Sequence, residues 1–160
     1  MWKGLATPQD YNFLFGGVIE ALGSLELLLL WMNRVKIREI KPKKIIITSC
    51  SLAVAAFLSI FIYFALFTFC VFGNNTKVPI IIPLWTSDKL NELITDAGGR
   101  QEAVNEHQTG GLQPFTNSQP IALALTIFLM LVFYQLIFTS LATAFGLIGF
   151  NKGVKLDLND

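Results

Sequence analysis

Residues 45–72 decide the fold: they read IIITSCSLAVAAFLSIFIYFALFTFCVF, and none of them carries a charge. A hydrocarbon layer about 30 Å thick needs roughly 20 apolar residues of helix, so this run predicts a transmembrane helix. Residues 120–150 are also free of charge and predict a second one. The chain of 160 residues is 53% hydrophobic, with 14 Phe and one His. That composition is typical of an integral membrane protein rather than of a soluble domain.

Residues 13–33 form a third apolar segment, but it carries Glu20 and Glu26. A carboxylate in the middle of a span costs a few kcal/mol, while each Leu, Ile or Phe returns about half a kcal/mol. The two contributions nearly balance, so we expect this helix either to span the membrane or to lie in its interface. The carboxylates then lie at headgroup level, or they form an ion or proton site inside a bundle. The other two apolar segments offer no charged partner, which favours the first alternative.

Residues 34–44 hold six basic side chains and one acidic one. Short segments rich in Lys and Arg remain on the cytoplasmic side of a membrane, so we expect a cytoplasmic loop. This role alone accounts for the charges, but the same cations are candidates for contact with anionic lipid headgroups. They are Arg34, Lys36, Arg38, Lys41, Lys43 and Lys44.

The segment order predicts an all-α protein of an inner or plasma membrane, with two transmembrane helices and an N-terminal third. In chain order the segments are a polar lead 1–12, helix 13–33, basic loop 34–44, helix 45–72, extracytoplasmic loop 73–119, helix 120–150 and cytoplasmic tail 151–160. Loop 73–119 is predicted to contain two short helices, the first ended by Gly98-Gly99 and the second by Gly110-Gly111. Residues 78–85, VPIIIPLW, are predicted to be extended or interfacial with Trp85 as an anchor. Residues 112–120 are predicted to be irregular.

Small and polar residues on the two charge-free segments indicate helix packing. On the first segment, Ser51, Ala55 and Ser59 recur every fourth residue, a spacing that lets another helix approach closely. On the second, an amide inside a span is expected to hydrogen-bond across a helix interface, and small residues follow it. These residues are Gln135, Thr139, Ser140 and Ala144. The two sets are predicted to pack within one chain or between chains.

The sequence carries no metal-ligand spacing, no phosphate-binding glycine loop and no nucleophile motif. His107, with Glu102 and Glu106 beside it, fits a solvated helix end better than a metal site. Cys50 and Cys70 are too far apart along one helix to form a disulfide. We therefore expect no catalytic residue, no metal, no cofactor and no nucleic-acid partner.

Three classes of function remain. The favoured one is a non-enzymatic membrane subunit that assembles by helix packing into a homo- or hetero-oligomeric complex, with membrane lipid as a further partner. The alternative is an oligomeric pore, ion-conducting protein or membrane-perturbing effector in which Glu20 and Glu26 line the pathway. An enzyme, for which His107 is the one candidate, has the least support.

Overall fold

The computed structural model describes residues 12–73 and 79–151, without the side chains of residues 12–20 and Thr109. The predicted lead up to residue 11, the tail from residue 152 and the side chain of Glu20 lie outside that description. The described chain is mostly helical, as predicted, with one small sheet. Its order is α1 (Asn12–Met32), α2 (Arg34–Glu39), α3 (Pro42–Cys70), β1 (Val71–Phe72), β2 (Ile80–Ile81), α4 (Asp88–Asp96), α5 (Arg100–Asn117) and α6 (Pro120–Phe150).

Among the described residues, α3 and α6 are the helices long and apolar enough to cross a membrane. Their 29 and 31 residues give lengths of roughly 43 and 46 Å, more than the hydrocarbon layer requires. Each helix begins at a proline, where the missing N–H costs no intrahelical hydrogen bond. The described apolar part of α1 is the shorter stretch Ala21–Met32, so the third span stays a prediction.

The end of α3 differs from the prediction, because Val71 and Phe72 form strand β1 rather than the last turn of a helix. They pair with Ile81 and Ile80 of β2 in an antiparallel register. The N–H of Ile82 also donates to the carbonyl oxygen of the last α3 residue at 2.8 Å. Aromatic and β-branched side chains favour this extended pairing, so the chain leaves the helix directly into a sheet.

The chain divides into two compact units. The described part of the first, the loop unit, is residues 62–73 and 79–132, and that of the second, the bundle unit, is residues 12–61 and 133–151. Each of the two long helices therefore contributes residues to both units.

The loop unit has a hydrophobic core of its own, formed by β1, β2, α4 and α5. Its buried side chains are Phe72, Ile80, Ile82, Leu90, Ala103, Val104 and Leu112. Helix α4 ends at the predicted glycines: Gly98 has a φ of 86°, and the N–H of Gly99 donates to the carbonyl oxygen of Ile94 at 2.8 Å. This is a Schellman motif, which requires a residue that tolerates the left-handed conformation.

Helix α5 is longer than predicted. The sequence predicts a loop after Gly110-Gly111, but the helix continues to Asn117, with a break at Gln108, where φ is 56°. Leu112 is fully buried, and Phe115 packs against the same core. Burying two large apolar side chains offsets the poor helix propensity of the glycines.

The predicted loop 34–44 is not irregular either, because it contains helix α2 and the first turn of α3. Ile37 is buried in the bundle unit. One anchored apolar side chain among five mostly polar neighbours is a weak periodic signal, which is why the sequence did not predict this helix.

Candidate interaction surfaces

The face of α3 that packs inside the bundle unit differs from the predicted one. Ser51 and Ala55 are exposed, whereas Ser59 is buried. The buried α3 residues of this unit are Ile45, Ser49, Ala56 and Ser59. The hydroxyl of Ser49 donates to the carbonyl oxygen of Ala144 on α6 at 3.3 Å. Packing of Ser51 and Ala55 within the chain is therefore a wrong prediction, while their packing against another chain stays a prediction.

The predicted α6 residues lie on the packed side of that helix. Ser140 and Ala144 are buried, and Thr139 and Gln135 are half-buried. The Thr139 hydroxyl donates to the backbone carbonyl oxygen of Gln135 at 3.1 Å. The side-chain amide of Gln135 is buried, and neither its oxygen nor its nitrogen has a hydrogen-bond partner among the described residues. The predicted bond from this amide to another helix is not formed in the described part of the chain.

Helix α6 also contacts α1. The Thr143 hydroxyl donates to the Glu26 carboxylate, and a Cβ added to Gly146 would lie 2.7 Å from Cδ1 of Leu30. Residue numbers rise together along both helices, so the two run in the same direction here. The other carboxylate oxygen of Glu26 is buried and has no partner among the described residues. Glu26 therefore packs against a neighbouring helix of its own chain.

Helix α2 is held to the end of α6 by Asn151. This side chain is buried, and its Nδ2 donates to the carbonyl oxygens of Ile37 at 2.9 Å and of Ile40 at 3.0 Å. The last carbonyls of a helix have no intrahelical partner, and a side-chain amide has two hydrogens to give. Asn151 thus caps the C-terminus of α2, a role that nothing in the local sequence of α2 predicts.

The predicted headgroup-contact cations lie around this capped helix. The guanidinium of Arg34 stacks on the Trp31 ring at 4.1 Å from its centroid. The remaining cations are exposed: Lys36, Arg38, Lys41, Lys43 and Lys44. In the part of the chain that the structure describes, none of them pairs with an acidic side chain. The structure therefore places five cations, which lack an acidic partner among the described residues, on one short stretch of surface.

Arg100 is a residue that the sequence analysis missed. It starts α5, and its guanidinium donates to the carbonyl oxygens of Phe69 at 3.3 Å and of Ile82 and Leu84 at 3.4 Å. It also stacks over the Phe69 ring at 4.1 Å. Burial lowers the pKa of Arg100, but an arginine stays charged at physiological pH. This side chain ties α5 to the end of α3 and to the strand segment.

Among the described residues, the side chains that bind metals or form disulfides do not cluster. No group of three His, Cys, Asp or Glu side chains there could hold a metal ion. Cys50 is exposed and Cys70 is buried, and both are free thiols. The prediction of a non-enzymatic role stays a prediction, because nothing in these contacts tests it.

Comparisons with protein-family models, with curated proteins and with solved structures found no match to this chain.

Proposed function

We propose that this chain is an integral membrane subunit that acts by assembling with further copies of itself or with other membrane chains. The proposal rests on the surface of α3. Only 22% of the most apolar 18-residue stretch of this helix is buried within the chain. Ser51 and Ala55 are among the exposed residues of α3. A face of this kind can pack against another helix.

Small residues matter here because lipid is as apolar as a leucine side chain. Association of helices in a membrane therefore depends on van der Waals contact between closely approaching backbones, which small side chains permit. At about 100° per residue, Ser51 and Ala55 share one side of α3. Phe57 and Phe61 project from another side, and both are 59% exposed. Large aromatic side chains suit contact with lipid, so the small-residue side is the better candidate for an interface.

The alternative, a pore lined by Glu20 and Glu26, receives less support. Glu26 accepts a hydrogen bond from Thr143 of its own chain and does not project from an uncovered face. A 30 Å layer centred on α6 would end about 8 Å before the end of that helix, which places Thr143 near the layer's edge. A glutamate at that level suits a headgroup environment. Conductance that is lost in the double variant Glu20→Gln/Glu26→Gln would restore the pore hypothesis.

Photocrosslinking from single cysteines tests the assembly directly. Cys50 and Cys70 are first replaced by alanine, and a benzophenone maleimide is then attached to Ser51→Cys or Ala55→Cys in native membranes. Phe57→Cys and Phe61→Cys serve as matched controls on another exposed side of the same helix. We expect protein adducts from residues 51 and 55 only, and the adduct mass distinguishes a second copy from a different chain. Equal yields at all four positions, or no protein adduct at any, would contradict the proposal.

A further inference from the structure

We define the headgroup surface as α2 together with Lys41, Lys43 and Lys44. The role of this surface does not depend on how the protein assembles. We propose that α2 is an interfacial helix that binds the headgroups of anionic phospholipids, and that Asn151 positions it for this contact.

The position of α2 follows from its connections. Asn151 directly follows α6 and holds the C-terminal carbonyls of α2. Two residues, Ile40 and Lys41, separate the C-terminus of α2 from the start of α3 at Pro42. The two helices able to span a membrane therefore both have an end at α2. With the 30 Å layer centred on α6 as above, a short helix fixed between two such ends lies outside the hydrocarbon, at headgroup level.

The exposed side chains around α2 combine apolar and cationic groups. Met32 is 64% exposed and Val35 is 60% exposed, beside the exposed cations Lys36 and Arg38. Apolar side chains that enter the acyl boundary, next to cations at phosphate level, are the pattern by which an amphipathic helix binds an anionic membrane surface. The acidic side chains of a partner protein would match the cations but would not account for the exposed apolar side chains beside them.

Charge complementarity points to the same ligand. Glu39 is the one acidic side chain of segment 34–44, and no ion pair offsets the exposed cations among the described residues. The first turn of α3 contains no acidic residue, so nothing there relieves repulsion between Lys43 and Lys44. Phosphate groups of lipids would neutralise this surface, with a gain in affinity of about fivefold for each cation engaged.

Tryptophan fluorescence offers a local test, because Trp31 is 51% exposed and adjoins this surface. In a Trp2→Phe/Trp85→Phe background Trp31 is the one remaining tryptophan of the three in the chain. The full chain is reconstituted in vesicles that contain brominated phosphatidylglycerol in unlabelled phosphatidylcholine, or the reverse. We expect stronger quenching by the anionic lipid at equal mole fraction. The preference should weaken in about 0.5 M salt, which shortens the screening length to between roughly 3 and 8 Å.

Two sets of variants test the contribution of the cations and that of Asn151 separately. The triple change Lys36→Gln/Arg38→Gln/Lys43→Gln should lower the preference for the anionic lipid at least tenfold, while Lys89→Gln on α4 should leave it unchanged. Asn151→Ala keeps every cation but frees α2, and the preference should fall without a change in the melting of the loop unit. Equal quenching by both lipids, or a preference that survives the triple change, would overturn the proposal. A response of Trp31 to soluble polyglutamate, without any lipid preference, would assign the surface to an acidic protein and overturn it too.

Discussion

Arg100→Met should loosen the loop unit locally, without unfolding the rest of the chain. The arginine donates three hydrogen bonds of 3.3 to 3.4 Å to carbonyl oxygens. Because these bonds are long and the group is only half-buried, we assign each about 0.5 kcal/mol, the low end for a net hydrogen bond. Its stacking on Phe69 adds about 0.5 to 1 kcal/mol. The total is about 2 kcal/mol, which corresponds to a roughly 30-fold change in a local opening equilibrium.

Hydrogen exchange measures that local opening at the backbone amides of Ile82 and Leu84, whose carbonyl oxygens Arg100 binds. The N–H of Ile82 donates to Cys70 at 2.8 Å, and the N–H of Leu84 donates to the Thr126 hydroxyl at 3.0 Å. Both should exchange about 30-fold faster in Arg100→Met, and Arg100→Lys should recover only part of the protection because it lacks the planar fork. Gln101→Met, at an exposed neighbouring position, is the control. Exchange accelerated less than threefold in Arg100→Met would refute this account of the residue.

Three further outcomes are expected from thermal unfolding in detergent. Gly98→Ala should lower stability by about 1 kcal/mol, because an L side chain resists the positive φ; an unchanged melting temperature would be evidence against the Schellman cap. Thr143→Val removes the hydrogen-bond donor to the Glu26 carboxylate and should lower the free energy of unfolding by about 1 to 3 kcal/mol. A variant that is more stable than the parent would contradict this. Gly146→Val should cost about 1 to 3 kcal/mol through overpacking against α1, while Gly149→Val, where a Cβ meets nothing within 4 Å, should be nearly neutral.

The long apolar segments were predictable because their signal does not depend on context. Charge-free runs of this length have few other stable forms, and α6 begins and ends at the predicted residues. Proline marks the start of each long helix. The end of α4 was equally predictable from its glycine pair, since the cap requires a residue that tolerates a positive φ.

What the sequence could not show depends on tertiary contacts. Val71 and Phe72 continue an apolar run, and only the distant partners Ile80 and Ile81 turn them into a strand. The helical state of residues after Gly111 depends on burial of Leu112 in a core that β1, β2, α4 and α5 form together. At Val71 and Phe72 the long apolar run hides the strand preference of the two residues. After Gly111, burial overrides the poor helix propensity of the glycines.

The packing residues illustrate the same limit at finer scale. A four-residue repeat identifies Ser51, Ala55 and Ser59 as one stripe, but it cannot tell an interface within the chain from one between chains. The buried side of α3 in the bundle unit consists instead of Ile45, Ser49, Ala56 and Ser59. The Ser49 hydroxyl donates to α6. The cap by Asn151 joins positions more than one hundred residues apart in sequence, so no local pattern could have identified it.

The mass of the protein complex extracted from native membranes into nanodiscs shows whether this chain assembles at all. An assembling subunit should give a protein mass that exceeds the 17.8 kDa of one chain, either as a multiple of that value or with different chains present. Replacing both Ser51 and Ala55 by leucine should then reduce that mass towards a single chain. A parent protein that is already a single chain, with a mass unaffected by the two substitutions, would contradict the account.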